Sequence, residues 1–191
     1  AAGYAVHVAR AADGGELCCG RTLLAAGMAE AARARASTLL AAFLPFAESG
    51  IAIVGLEPSC LLTLRDEALA LGLGDKAIAV SKQALLFEEF IAREAKAGRF
   101  DVAFTPVEAP MLVHGHCHQK AFDAMPAVEK VLRMVPGLKL STVQTSCCGM
   151  AGSFGYEAEH YDISVKMAEM ALLPRIREAP GALLAADGTS C

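Results

Sequence analysis

The chain has 191 residues, 54% of them hydrophobic, and a mean hydropathy of +0.41, enough to bury one large core or two small ones. A formal charge of −4, a pI near 5.7 and dispersed Lys and Arg leave no electrostatic footprint for nucleic acid. The longest apolar run, 38–47, contains Pro45 and falls well short of the roughly 18–20 residues that a transmembrane helix needs.

The opening AAGYAVHVAR has no Met, no basic leader and no cleavage site, and reads as the start of a piece cut from a longer protein. Residues 4–8 predict a strand. A helix follows over 22–48, where Ala and Leu dominate and Ser49-Gly50 stop it, and then a strand over 51–55. Helices are predicted over 61–71 and 83–98, the latter with Glu88, Glu89, Arg93, Glu94 and Lys96 on a solvated face. The pattern restarts with strand 111–114, helix 127–134, strand 139–144, helix 157–177 and strand 182–186. Met167 and Met170, in the last long helix, are expected to pack in the core. Strands separated by helices need crossover connections, which predicts an α/β fold with mainly parallel sheets.

The restart is a repeat. Cys18-Cys19-Gly20 returns as Cys147-Cys148-Gly149 at an offset of 129, and Ser59-Cys60 returns as Ser190-Cys191 at an offset of 131. Two pseudo-repeated lobes are therefore expected, 1–105 and 106–191, joined near 105–110. Each would hold a small, mainly parallel sheet flanked by helices, with its cysteines at the carboxyl ends of strands, where open parallel sheets form their ligand crevice. The counterpart of Cys117 would fall ahead of Ala1, so the first lobe reads as cut short at its N-terminus.

A disulfide within a vicinal pair closes a strained eight-membered ring, so the Cys-Cys pairs need another use. Seven cysteines, an odd number clustered beside Gly and His, point to thiols kept reduced as ligands or redox groups. Cys117, Cys147, Cys148 and Cys191 all follow predicted strands of the second lobe. Four converging thiolates suit either an iron-sulfur cluster or a tetrahedral zinc. The first lobe offers Cys18, Cys19 and Cys60, with Glu57 three residues before the last as either a metal ligand or a helix cap. In HGHCHQK, His114 is expected to be a satisfied histidine within the strand, while His118 is a candidate ligand or a donor to cluster sulfur. Gly149 and Gly152, like Gly20, allow positive φ and let backbone amides approach a bulky inorganic group. GMAGSFG lacks the spacing of a dinucleotide fingerprint, and neither G-x-S-x-G nor H-E-x-x-H occurs.

LCCGRTLLAAGM, EPSCLLTLRDE, HGHCHQKAF, TSCCGMAGSFGYE and ADGTSC together resemble the cysteine-rich CCG domains of iron-sulfur oxidoreductases. Such domains occur in heterodisulfide reductase, in the iron-sulfur component of glycolate oxidase and in anaerobic glycerol-3-phosphate dehydrogenase. The wording is most similar to the C-terminal region of FAD-linked oxidases of the D-lactate and D-2-hydroxyglutarate dehydrogenase type. The resemblance covers essentially the whole chain. It implies electron transfer from FAD on another domain or subunit, through a [4Fe-4S] cluster, to a quinone or other carrier. It also implies a cytoplasmic setting, peripheral to the inner membrane through partners. Carried over, Cys117, Cys147, Cys148 and Cys191 match the ligands of one motif, and Cys18, Cys19 and Cys60 those of the other. The fullest form of the family ends each motif in C-x-x-C; here Glu57 and Gly188 stand at the first cysteine's position, which removes one thiol from each set. Two readings from other classes stay open: a zinc-stabilised interaction module and a thiol-disulfide redox domain.

Overall fold

The computed structural model describes residues 2–191. The chain separates into two compact units, one reaching to Phe90 and the other running Ile91–Cys191. In chain order the elements are α1 (Arg21–Ala25), α2 (Ala29–Glu48), β1 (Ile53–Gly55), α3 (Pro58–Arg65), α4 (Glu67–Ala70), α5 (Asp75–Gln83), β2 (Ala84–Leu86) and α6 (Phe87–Lys96). Then come β3 (Pro110–His114), α7 (Cys117–Ala121), α8 (Met125–Leu132), β4 (Lys139–Thr142), two short 3-10 turns, α9 (Tyr161–Glu169), α10 (Leu172–Arg177) and β5 (Leu183–Ala186). The architecture is α/β: two small parallel sheets flanked by helices.

In the first unit β1 and β2 pair in parallel, Ile53 with Ala84 through Gly55 with Leu86. The core behind them is aliphatic. Ala36, Leu39 and Leu40 of α2 are buried and α2 packs on α5, whose Ala77 and Val80 are also buried, beside Leu61, Leu62 and Leu64 of α3. Three expectations fail here. Residues 4–8 form no strand, and Val6 and Val8 lie 83% and 80% exposed; alternation without pairing or burial does not make a strand. The long helix is two helices, because Gly27 adopts φ +74 and closes α1 in a left-handed cap, with Met28 N–H donating to the Leu23 carbonyl. The stretch read as helix from residue 83 opens instead with strand β2: Ala84-Leu85-Leu86 has helical propensity, and parallel pairing with β1 overrides it.

In the second unit the order is β4-β3-β5, all parallel, with β3 central. A central parallel strand is covered on both faces, and Leu112, Val113 and His114 are all buried. Leu112 packs in a cluster with Val143, Cys148 and Leu172. The helix expected over 157–177 is broken into 3-10 turns, α9 and α10; Ala171, at φ −156, separates the last two. Met170 sits at that break and is 77% exposed, so it is not core. Among the described residues no helix is long and apolar enough to cross a membrane.

Candidate metal centre

The two vicinal pairs are built alike. Gly20 has φ +83 and Gly149 φ +93, and each donates its N–H to the sulfur two residues back: Gly20 to Cys18 Sγ at 3.4 Å, Gly149 to Cys147 Sγ at 3.3 Å. A Cβ on Gly20 would lie 2.6 Å from the Ala32 carbonyl of α2, and one on Gly149 would strike the Ser164 carbonyl of α9. Both glycines thus seat the pair against the helix that follows, a tighter constraint than room for an inorganic group. Gly152 also has positive φ, at +71, but open space surrounds it. In each pair the second cysteine is buried, Cys19 at 6% and Cys148 at 8%.

Each buried thiol meets a cysteine distant in sequence. Cys148 Sγ lies 3.7 Å from Cys191 Sγ, and Cys19 is hydrogen-bonded to Cys60. In the first unit that bond from Cys60, more than any other influence, lowers the Cys19 pKa to about 6, while Cys60 holds its proton. Cys18 and Cys60 are exposed. Glu57 acts as the cap of α3, its carboxylate accepting from Ser59 N–H at 3.3 Å and Ser59 Oγ at 2.6 Å.

In the second unit the thiols at the carboxyl edge of the sheet form two neighbouring pairs, Cys148 with Cys191 and Cys117 with Cys147. Cys191 is pushed up to about 12 by burial and by the neighbouring Cys148. Cys117 is raised by burial and then by Cys147. Thiolates crowded in this way repel, and a cation removes the repulsion; the donor set therefore fits a thiolate-bound metal. The residue at the centre of this edge is one that cysteine spacing does not reveal. His114 ends β3, is 1% exposed, and one of its ring nitrogens lies within 4.8 Å of the sulfurs of both Cys148 and Cys191. Burial, with Lys120 and His116 nearby, lowers its pKa to about 4, so the ring is neutral. His114, Cys148 and Cys191 are the one set of three such donors within that distance among the described residues. A cue existed in the sequence: at period two from Leu112, residue 114 shares its strand face with a core residue. His118 follows Cys117 in the first turn of α7, with its ring stacked on His116 at 5.1 Å.

Helix α7 clamps the loops that carry the cysteines. His116 caps it: Nδ1 accepts from His118 N–H at 3.1 Å, and Gln119 Oε1 accepts from His116 N–H at 3.0 Å, a capping box that fixes the turn before Cys117. The fully buried Gln119 donates through Nε2 to Asp187 Oδ2 at 2.5 Å, tying down the segment that leads to Cys191. Lys120 Nζ donates to the Thr145 carbonyl at 2.7 Å, Thr145 Oγ1 at 3.1 Å and the Ser146 carbonyl at 3.2 Å, holding the loop that leads to Cys147. Charge-assisted bonds of this kind contribute about 1.5–3 kcal/mol each.

Two α/β units, each setting the buried member of a Cys-Cys-Gly pair against a cysteine far along the chain, define a cysteine-rich protein of repeated design. The CCG cysteine-rich domain matches residues 5–65 and again 111–187, well over half of the chain, and the protein belongs to that family. It is 27% identical over 178 residues to one of the subunits of anaerobic glycerol-3-phosphate dehydrogenase from Escherichia coli (strain K12), covering 92% of this chain and 44% of that one. It is 31% identical over 146 residues to D-2-hydroxyglutarate dehydrogenase of Escherichia coli (strain K12), covering 76% and 14%. The enzyme of the same name from Pantoea ananatis (strain AJ13355) is 30% identical over 149 residues, again 76% and 14%. The chain thus spans less than half the length of these curated relatives. No solved structure matches it.

Proposed function

We propose that the chain is an electron-transfer part of a flavin-linked dehydrogenase, with an iron-sulfur cluster of the [4Fe-4S] type bound in the second unit by Cys117, Cys147, Cys148 and Cys191. What supports this reading is the pairing of Cys148 with Cys191 and of Cys117 with Cys147 at one sheet edge, in a chain of the CCG family whose curated relatives are dehydrogenases. Soft sulfur donors select iron-sulfur clusters and zinc over hard cations. A cluster bound there supplies one-electron redox chemistry; the protein's own part is to ligate, to exclude water and to fix the donors in place. FAD resides on another domain or subunit, oxidises a 2-hydroxy acid or a related alcohol, and passes electrons through this site to a quinone or other carrier. Cys18, Cys19 and Cys60 keep the family's arrangement in the first unit without completing a second set of three close donors among the described residues.

A second reading has one specific observation in its favour. The 3.7 Å between Cys148 Sγ and Cys191 Sγ matches the edge of a tetrahedron of sulfurs around zinc, about 3.8 Å for Zn–S bonds of about 2.3 Å. Anaerobic purification followed by metal and acid-labile sulfide analysis separates the two. The iron-sulfur reading expects a brown protein whose visible absorption bleaches with dithionite and returns on reoxidation. A colourless anaerobic protein with stoichiometric zinc overturns electron transfer and leaves a structural metal.

A further inference from the structure

We propose that His114 is itself a protein ligand of the centre, a nitrogen donor alongside Cys148 and Cys191. The inference rests on the reading above that the second unit holds a metal, and it adds a residue type that cysteine spacing does not reveal.

His114 is held where it is by the sheet. It ends the central strand, paired with Ala186 of β5, and shares a face with Leu112, whose packing cluster includes Cys148 and, at its margin, Cys191. Its imidazole is buried, and the two ring nitrogens have different surroundings. Nδ1 lies 3.0 Å from Thr145 Oγ1. Nε2 is buried and has no hydrogen-bond partner among the described residues. Buried polar atoms in folded proteins nearly always have partners, so a nitrogen left without one, on a ring that lies near two thiols, points to something that binds there.

The surroundings of Nδ1 fit the same role. A metal-bound histidine commonly donates its other N–H to an oxygen that fixes the ring. Thr145 Oγ1 is such an oxygen, and Lys120 Nζ, which has only hydrogens to offer, holds it in place at 3.1 Å. With Nδ1–H donating to Thr145, the lone pair of Nε2 is free for a metal. Five donors exceed the four terminal positions of a cubane. In an iron-sulfur centre, ligation by His114 therefore leaves one thiol off the cluster or gives one iron two protein donors.

The test uses the full chain, purified anaerobically with its metal and labelled with 15N at the histidine rings. For an iron-sulfur centre, pulsed paramagnetic resonance of the dithionite-reduced protein is expected to show a 15N coupling of directly bonded size, absent from His114→Ala. For zinc, X-ray absorption is expected to show a nitrogen at about 2.0–2.1 Å beside the sulfurs. Metal affinity of His114→Ala is expected to fall about 10-fold or more, while His114→Cys keeps the metal, loses the nitrogen signal and, for iron, lowers the reduction potential. A metal-loaded wild-type protein with no directly bonded nitrogen overturns the proposal and leaves the metal reading intact, without relying on any variant that fails to fold. A protein with no metal at all overturns both, and metal content tells the two failures apart.

Discussion

At the scale of single residues, the clustering of the cysteines was legible, and the buried, unpartnered Nε2 of His114 was not. Cys147-Cys148-Gly149 and its copy at Cys18 announce themselves because vicinal thiols have few structural uses. Gly149 was legible as a position of positive φ, although its reason turned out to be the Ser164 carbonyl. His114 looked like an ordinary strand histidine, since whether an imidazole nitrogen finds a partner depends on Thr145, thirty-one residues away. Lys120 was silent for the same reason: a lysine after a histidine-rich turn has no signature until it is seen holding Thr145 and Ser146. Lys120→Met keeps the stem and removes the three bonds. Its far-ultraviolet dichroism is expected to match wild type, while metal affinity, measured by competition with a chelator, falls by about 10-fold as the Cys147 loop loosens.

At the scale of elements, periodicity located most helices and the second unit's strands within a few residues, and failed where pairing or a single glycine decided the outcome. Strand β2 exists because β1 lies beside it, not because Ala84-Leu85-Leu86 prefers to be extended. Residues 4–8 alternate well and pair with nothing, and Gly27 divides what composition reads as one helix. The glycines flanking the second pair give a graded test. Gly149→Ala adds the cost of a left-handed conformation, about 1–2 kcal/mol, to that of pushing the added Cβ against the Ser164 carbonyl of α9, about 1–3 kcal/mol. Gly152→Ala carries only the conformational cost, about 1–2 kcal/mol, since its added Cβ meets open space. Thermal unfolding should therefore rank wild type above Gly152→Ala and Gly152→Ala above Gly149→Ala. Equal midpoints for the two variants would mean that the contact with α9 is not maintained.

At the scale of the whole molecule, the repeat was visible in the sequence, and the family match recovers it in both halves. The halves already differ in sequence, three cysteines against four; what could not be read was that a histidine would join the second set. Both place a buried thiol against a distant cysteine, but only in the second does a third donor join within 4.8 Å among the described residues. The proposed function therefore expects one metal centre per chain. Replacing Cys18, Cys19 and Cys60 together by Ser is expected to leave metal content per chain unchanged, whereas Cys148→Ser with Cys191→Ser empties it. Stripping the metal from wild type should lower amide protection in the second unit and spare the first, as followed by hydrogen exchange.

The β4-β3-β5 order has a consequence for biosynthesis. Donors at the ends of three different strands become neighbours only when the central strand has both of its partners. Cys117 precedes Cys191 by 74 residues, so a growing polypeptide presents it before its partners at the sheet edge exist. On the proposed reading, a metal at this edge would gain its full donor set only once β5 has joined the sheet, so metal retention would report completed folding.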